Sequence, residues 1–227
     1  MENVVHLLST LALMGAVRSL AGRYQAELGT RIDADFAPTL GLLDRLRAGE
    51  AADVVILTRE GLDEVANEGT VVADSRVDLA RSYVGIAVKA GAEHPDIATE
   101  SALRATLLGA RVAYSRIGAS GIFFAQLIER MGIAPEINAK ARIIPSGLTA
   151  ERLVTGDADL AVQQISELKQ VAGVEIVGPI PLDIQSPAVF SAGRLAASKR
   201  VVQADELLRY LASPEAAPVL RASGLEP

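Results

Sequence analysis

Apolar residues follow two alternating spacings along this chain. Residues Asn3–Leu8 form a short apolar run of strand character that breaks at Ser9-Thr10. Leu11–Leu28 then repeats its apolar positions at intervals of three and four, the spacing of one helix face, and Gly29 supplies a C-terminal stop. Thr30–Phe36 (TRIDADF) alternates polar and apolar like a half-buried strand, and Thr39–Ala48 is helical up to Gly49. Asp53–Leu57 (DVVIL) is a short buried strand, followed by a helix over Arg59–Asn67 that ends near Gly69. This β-α-β-α-β-α order with short connections predicts a largely parallel sheet with helices on its faces.

A longer strand-like run, Leu79–Ala90, precedes the loop Gly91–Asp96, and a second alternating series comes after it. It comprises helix Ser101–Leu108, strand Arg111–Ser115, helix Gly121–Met131, strand Ala141–Ile144, helix Leu148–Thr155 and strand Leu160–Gln164. Ser186–Ala197 reads again as a long strand, and the helices Gln203–Ala212 and Pro214–Ala222 close the chain. Two α/β lobes with long strands between them predict that the chain crosses twice from one to the other. A ligand would then sit in the crevice, against strand C-termini and helix N-termini.

The 227 residues fit two lobes of roughly 100 residues each. Half of them are apolar but Trp is absent, so the core is expected to be Leu, Ile, Val and Ala. The net charge of −6 and the lack of a basic cluster exclude nucleic acid as the expected partner. Without Cys there are no disulfides, thiol nucleophiles or thiolate metal sites, and His6 and His94 lie far apart, so neither metal nor cofactor is expected. Val4–Val17 is apolar, but it follows the acidic Met1-Glu2-Asn3, lacks a small-x-small cleavage site and is too short to span a bilayer. It reads as strand and helix. No membrane insertion is expected, and the location is cytoplasmic as the sequence stands, or periplasmic if a leader has been removed.

Residues 114–124 (YSRIGASGIFF) run from strand through a small-residue turn into helix. Such a turn brings backbone N–H groups close to an anion, and the helix N-terminus adds partial positive charge. The ordinary alternative is a strand-to-helix turn with Ser120 as N-cap. Arg81, at the inferred crossover, and Arg116, within the turn, would favour a planar carboxylate through paired N–H···O bonds. Solvation, or pairing with carboxylates such as Asp78, is the other reading. His6 lies beside the first turn and is a candidate general base or a satisfied core residue. Tyr114 and Tyr83 are candidate donors or proton carriers, with core packing as the alternative. Gln163-Gln164-Ile165-Ser166 ends a strand with polar groups that need partners.

Several stretches together carry a family resemblance. They are Phe36-Ala37 with the turn after it, Leu46-Arg47-Ala48-Gly49-Glu50-Ala51-Ala52-Asp53-Val54, Ala119-Ser120-Gly121-Ile122, Gly156-Asp157-Ala158-Asp159-Leu160-Ala161 and Tyr210-Leu211-Ala212-Ser213-Pro214-Glu215-Ala216-Ala217. The sequence resembles the type II periplasmic binding proteins, the Venus-flytrap fold, and among them the molybdate-binding-protein-like group. The resemblance implies a two-lobed α/β fold, each lobe a mixed, mostly parallel sheet flanked by helices, with the ligand cleft between lobes. Residues 1–81 plus 187–227 would form a discontinuous first lobe and 82–186 the second. It implies ligand contacts from Ser9, Thr10, Pro38 and Thr39 in the first lobe. From the second it implies Ala119, Ser120, Gly121 and Ser146, while Gln164, Arg81 and Arg116 are candidates on their own chemistry. Two features differ from the family pattern. The serine run after the second strand is Pro-Thr-Leu-Gly here, and Gln164 stands where molybdate binders place a Tyr.

The first functional reading is a solute-binding protein that closes on a small oxyanion or carboxylate, with an ABC permease as partner only if the chain is exported. The resemblance extends to aconitate isomerase. The alternative reading is therefore a cytoplasmic, cofactor-free isomerase of a small unsaturated polycarboxylate. Its allylic proton shift would use His6 or Tyr114 as the acid/base group.

Overall fold

The computed structural model describes residues 3–227, and the chain divides into two compact units. The first takes the chain up to Ser82 and again from Ala188 to Pro227; the second is Tyr83–Pro187. Strands and helices of the first unit are β1 (Asn3–Thr10), α1 (Met14–Leu28), β2 (Thr30–Ala37), α2 (Thr39–Arg47), β3 (Val54–Thr58), α3 (Arg59–Asn67) and β4 (Val77–Ser82). The second unit holds β5 (Val84–Lys89), α4 (Glu100–Gly109), β6 (Val112–Ser115), α5 (Ala119–Arg130), α6 (Ala134–Asn138), β7 (Arg142–Ile144), α7 (Glu151–Val154), β8 (Leu160–Gln164), α8 (Ile165–Leu168) and β9 (Val174–Pro179). The chain then returns to the first unit with β10 (Ala188–Arg194), α9 (Val201–Leu211) and α10 (Ala217–Ala222).

The first sheet has the order β2-β1-β3-β10-β4, with β1 parallel to β2 and β3, and β10 antiparallel to both β3 and β4. All five residues of β3 (VVILT) are buried because helices cover both faces of the sheet. Val5, Leu7, Val54 and Ile56 pack with Val17 and Leu20 of α1 and Leu207 and Leu211 of α9. On the opposite face Leu8, Val55 and Leu57 meet Leu42, Leu43 and Leu46 of α2 and Leu62 and Val65 of α3. Each such side chain contributes about 1.5–3 kcal/mol by leaving water, which is why this sheet holds together around a short central strand. The register aligns the strand ends: Thr10 lies opposite Ala37, Phe190 opposite both Thr58 and Ala80, and Ala188 opposite Ser82. The carboxyl ends of β1, β2, β3 and β4 therefore share one edge.

The second sheet has the order β7-β6-β8-β5-β9, with β6 parallel to β7 and β8 and β5 antiparallel to β8 and β9. Val112, Tyr114, Leu160 and Val162 pack with Leu103, Leu107, Phe124 and Leu127 on one face. Small residues, Ala87, Ala113 and Ala161, face Ala150, Leu153 and Leu168 on the other. Val84, the first residue of β5, pairs with Gln164, the last of β8, so they share an edge with Ser115 and Ile144.

The α/β class and the mixed, largely parallel sheets agree with the pattern read from the sequence. The run Leu79–Ala90 does not form one long strand. It splits at Tyr83 into β4 and β5, one in each sheet. The strand expected over Ser186–Ala197 is shorter, Ala188–Arg194. Strand β9 has no counterpart in the sequence reading, because Val174–Pro179 lies at the sheet edge, is mostly half-buried and shows no clear alternation.

At the other end of the first sheet, Asp53 is buried and ties three segments together. Its carboxylate accepts the His6 N–H (2.9 Å) and the Ser198 hydroxyl (2.7 Å), with Arg200 at 3.6 Å. Asp53→Ala would leave these donors partnerless and is expected to cost about 2–3 kcal/mol in urea denaturation. A loss under about 0.5 kcal/mol would contradict that role.

Candidate functional site

Polar residues collect at the carboxyl edge of each sheet, where hydrophobic strands hand over to helix N-termini. In the first unit Thr10 ends β1 and begins a 3-10 turn over Leu11–Leu13. Pro38, with extended backbone, caps α2, so that Thr39 is its first residue. Thr58 caps α3, its hydroxyl accepting the Gly61 N–H at 3.3 Å. A Cβ on Gly61 would stand 3.3 Å from Thr58 Oγ1 and 3.6 Å from Thr39 Cγ2, so the starts of α2 and α3 lie side by side. The hydroxyls here differ in what they already do. Ser9 donates to the Thr10 carbonyl (3.0 Å), whereas the Thr10 and Ser82 hydroxyls are buried without any partner. A buried polar atom left unpaired costs free energy comparable to a lost hydrogen bond, so each marks a spot where a polar partner would be favourable, the two spots lying three strands, about 14 Å, apart.

The second unit repeats the arrangement. Gly118 caps α5, so the N–H groups of Ala119 and Ser120 point out of its first turn with no helix carbonyl to meet. The Gly121 N–H is committed, donating to the Gly118 carbonyl at 3.1 Å. Gly121 is instead a packing residue. A Cβ there would stand 1.6 Å from the Ser115 carbonyl oxygen, so only glycine lets α5 begin this close to the end of β6. Beside this turn, Gln163 accepts from the Thr149 N–H (2.8 Å) and hydroxyl (2.9 Å) and donates to the Gly147 carbonyl (3.1 Å). That fixes the 145–149 turn, on which Ser146 is exposed. Gln164 Oε1 and Ser166 Oγ are both buried without a partner.

The cations and acid/base candidates fall unevenly. Arg116 is exposed at the end of β6, with Nε and Nη2 each 3.3 Å from the Tyr114 hydroxyl and its guanidinium 5.9 Å from the centre of the Tyr114 ring. Tyr114 is wholly buried, stacks edge-to-face on Phe124 and donates its hydroxyl to Asn138, so it is a core residue with a tethered hydroxyl. His6 is four residues upstream of Thr10, roughly 13 Å along the strand, half-buried and paired with Asp33 at 3.1 Å. It lines a surface hollow with Asp53, Ser198 and Arg200 rather than the carboxyl edge. Neither expected acid/base group is free to serve there. Arg81 has an exposed side chain, and its backbone pairs with Glu226. Asp78 pairs with Arg59 (2.5 Å) and Arg76 (3.6 Å) instead.

Four residues at these edges escaped the sequence reading: Thr58, Arg59, Ser82 and Glu167. Arg59, the first residue of α3, brings a guanidinium to the edge and leaves its buried Nε without a partner. The signal for Thr58-Arg59 was present, since a Thr just before a helix with Glu60 in its first turn is an N-terminus pattern. Glu167 is buried in the first turn of α8, where its carboxylate accepts the Gln164 backbone N–H and the Gln163 amide. Burial pushes it up to about 8 against those two hydrogen bonds. Among the described residues no His, Cys, Asp and Glu cluster could hold a metal, and no helix is long and apolar enough to cross a membrane.

A family model described as bacterial extracellular solute-binding protein matches residues 5–226. An aconitate isomerase from a Pseudomonas species is 39% identical over 228 residues, covering 97% of this chain and 87% of that protein. Among solved structures, the periplasmic molybdate-binding protein of Azotobacter vinelandii superposes with a TM-score of 0.83 at 18% identity, covering 97% of this chain and 98% of that one. The sulfate-binding protein SubI of Mycobacterium tuberculosis H37Rv gives 0.79 at 15% identity, covering 99% of this chain and 87% of the other. At those identities the structural likeness establishes the fold.

Proposed function

Since the chain belongs to the bacterial extracellular solute-binding protein family, we propose that it uses this binding fold as an isomerase of a small unsaturated polycarboxylate, moving a double bond by an allylic proton shift. The observation that carries this reading is the 39% identity with an aconitate isomerase along nearly the whole chain. Each sheet's carboxyl edge offers groups that suit such a ligand. Ala119 and Ser120 offer N–H groups, Thr10 and Ser82 offer unsatisfied hydroxyls, and Arg116 offers a guanidinium group for a carboxylate. Pro38-Thr39, Ser9, Ser146 and Gln164 line the same edges and remain proposed contacts, as does Arg81. His6 and Tyr114 leave the proposal, His6 because it sits well upstream of the carboxyl edge and Tyr114 because its hydroxyl is tethered in the core.

The second reading, binding of a tetrahedral oxyanion without chemistry, draws on the hydroxyl and N–H groups alone. The two separate in a thermal-shift screen against cis- and trans-aconitate, other di- and tricarboxylates, molybdate, tungstate and sulfate. A ligand at 100 times its Kd adds about 2.7 kcal/mol of stability, an easily seen shift. The isomerase reading expects the rise with aconitate and not with molybdate; a rise with molybdate alone would overturn it. Ser120→Pro removes one N–H donor and a hydroxyl at the second position of α5, where proline is sterically admissible. It is expected to weaken aconitate binding at least tenfold by isothermal titration while lowering Tm only slightly. Unchanged affinity would remove the α5 turn from the proposed contacts.

A further inference from the structure

An allylic shift carries one proton between two carbons of the same substrate, so one group must accept it and give it back. Titratable side chains near the carboxyl edges of the sheets include Arg59, Arg81, Tyr83 and Arg116, the exposed carboxylates Glu60 and Asp183, and the buried Glu167. Arginines stay protonated and cannot act as bases. A phenol surrenders its proton too reluctantly to serve as a base at neutral pH. Among these carboxylates Glu167 is the buried one, held away from bulk water.

Its surroundings are those of a working carboxylate rather than a surface cap. The side chain is buried, and no charged side chain contributes to its ionisation; burial, the Gln164 N–H and the Gln163 amide are its determinants. Strands β5, β8 and β9 pack against α8, and the charged residues they carry, Lys89 and Glu175, are exposed, Glu175 paired with His94 at 3.0 Å. Gln163 couples Glu167 to Gly147 and Thr149, which fixes the carboxylate against the turn that carries Ser146. Its neighbours Gln164 Oε1 and Ser166 Oγ are buried without partners and mark a place for polar atoms that the chain does not itself supply. A capping contact alone explains the Gln164 N–H bond. It explains neither the bond from the Gln163 amide nor the two unpartnered groups close to Glu167 in the chain.

Resting on the isomerase reading, we propose that Glu167 is the catalytic acid/base residue of the allylic shift. Its carboxylate takes a proton from the substrate methylene carbon, and the C–H electron pair becomes the new carbon–carbon double bond. The pair of the former double bond then takes the proton from the Glu167 carboxyl at the far carbon. Bonds, protons and electrons balance without a redox partner. Burial pushes the carboxyl up, the direction that suits a group which must both take and return a proton near neutral pH.

The test measures isomerisation of cis-aconitate by proton NMR in D2O, with wild type, Glu167→Gln and Glu167→Asp in parallel. Glu167→Gln is expected to lower kcat at least 100-fold, with KM and the aconitate thermal shift little changed. Glu167→Asp, which keeps the carboxylate but withdraws it by one methylene, is expected to fall between. A folded Glu167→Gln within threefold of wild type overturns the assignment while leaving the isomerase reading intact. Wild type that never isomerises aconitate removes the reading and the assignment together. If both variants fail to fold, the wild-type pH–rate profile decides. A single ionisation near pH 8, with kcat rising towards the alkaline side, supports Glu167, and a flat profile between pH 6 and 9 overturns it.

Discussion

Gly121→Ala is expected to unfold the second unit. The added methyl would stand 1.6 Å from the Ser115 carbonyl oxygen and 2.4 Å from its carbon, both backbone atoms that cannot swing aside. Relief requires α5 to move off the end of β6. That would break the packing of Phe124, Leu127 and Ile128 on Val112 and Tyr114. Overpacking in a core that can adjust costs about 1–3 kcal/mol. Here the obstacle is main chain, and a loss above about 4 kcal/mol is expected. In urea denaturation followed by circular dichroism, Gly121→Ala should show no cooperative transition for the second unit, or a greatly lowered midpoint. A midpoint within error of wild type would mean that α5 and β6 are not so closely apposed.

Glu167→Gln is expected to raise stability at alkaline pH. The native carboxyl is pushed up to about 8 from an ordinary value of 4.5, so between those two values the native state binds more protons than the unfolded chain. Stability then falls as pH rises through that window, because ionising the buried carboxyl in the folded protein is unfavourable. Below pH 4.5 both states are protonated, and above about 8 the full penalty is in place. The difference reaches on the order of 4 kcal/mol. Gln carries no charge and fits the capping position, so its variant lacks this term. Subtracting the two denaturation curves at about pH 5 and about pH 9 isolates it from every other titrating group. The variant should gain on wild type across that interval. Parallel pH dependence in the two proteins would mean that Glu167 ionises as freely in the fold as outside it. If Glu167 also carries the proton shift, the same substitution that stabilises the protein abolishes turnover, the trade expected of a buried catalytic carboxyl.

Much of this architecture was legible in the chain. Strands such as Asp53–Leu57 and Leu160–Gln164 declare themselves by apolar runs between polar turns, and α1 and α5 by apolar residues at helical spacing. The split at Tyr83 was not legible. Val77–Ser82 and Val84–Lys89 are both good strands, and nothing in their side chains says that one pairs with β10 and the other with β8. Strand β9 was hidden because an edge strand needs no alternation to be held by backbone hydrogen bonds.

The turns at Thr10, Thr39 and Ser120 could be located, since a strand end, small residues and a helix start mark them in sequence. What each group there does depends on partners distant in the chain. Tyr114 looks like a proton carrier until Asn138 takes its hydroxyl, and His6 looks well placed until the strand direction sets it at the wrong end. Glu167 went unnoticed for the converse reason. In sequence it is an ordinary acidic residue in the first turn of a short helix, and only the fold buries it beside Gln163. Arg59 likewise reads as a helix-surface residue until its salt bridge to Asp78 fixes it at the end of β3.

The most direct measurement is proton NMR of purified protein with cis-aconitate in D2O, repeated from trans-aconitate. Both samples are expected to converge on one equilibrium mixture, at a rate proportional to protein. Aconitate that stays unchanged while molybdate or sulfate raises Tm would contradict that expectation, and the chain would then be a binder of inorganic oxyanions.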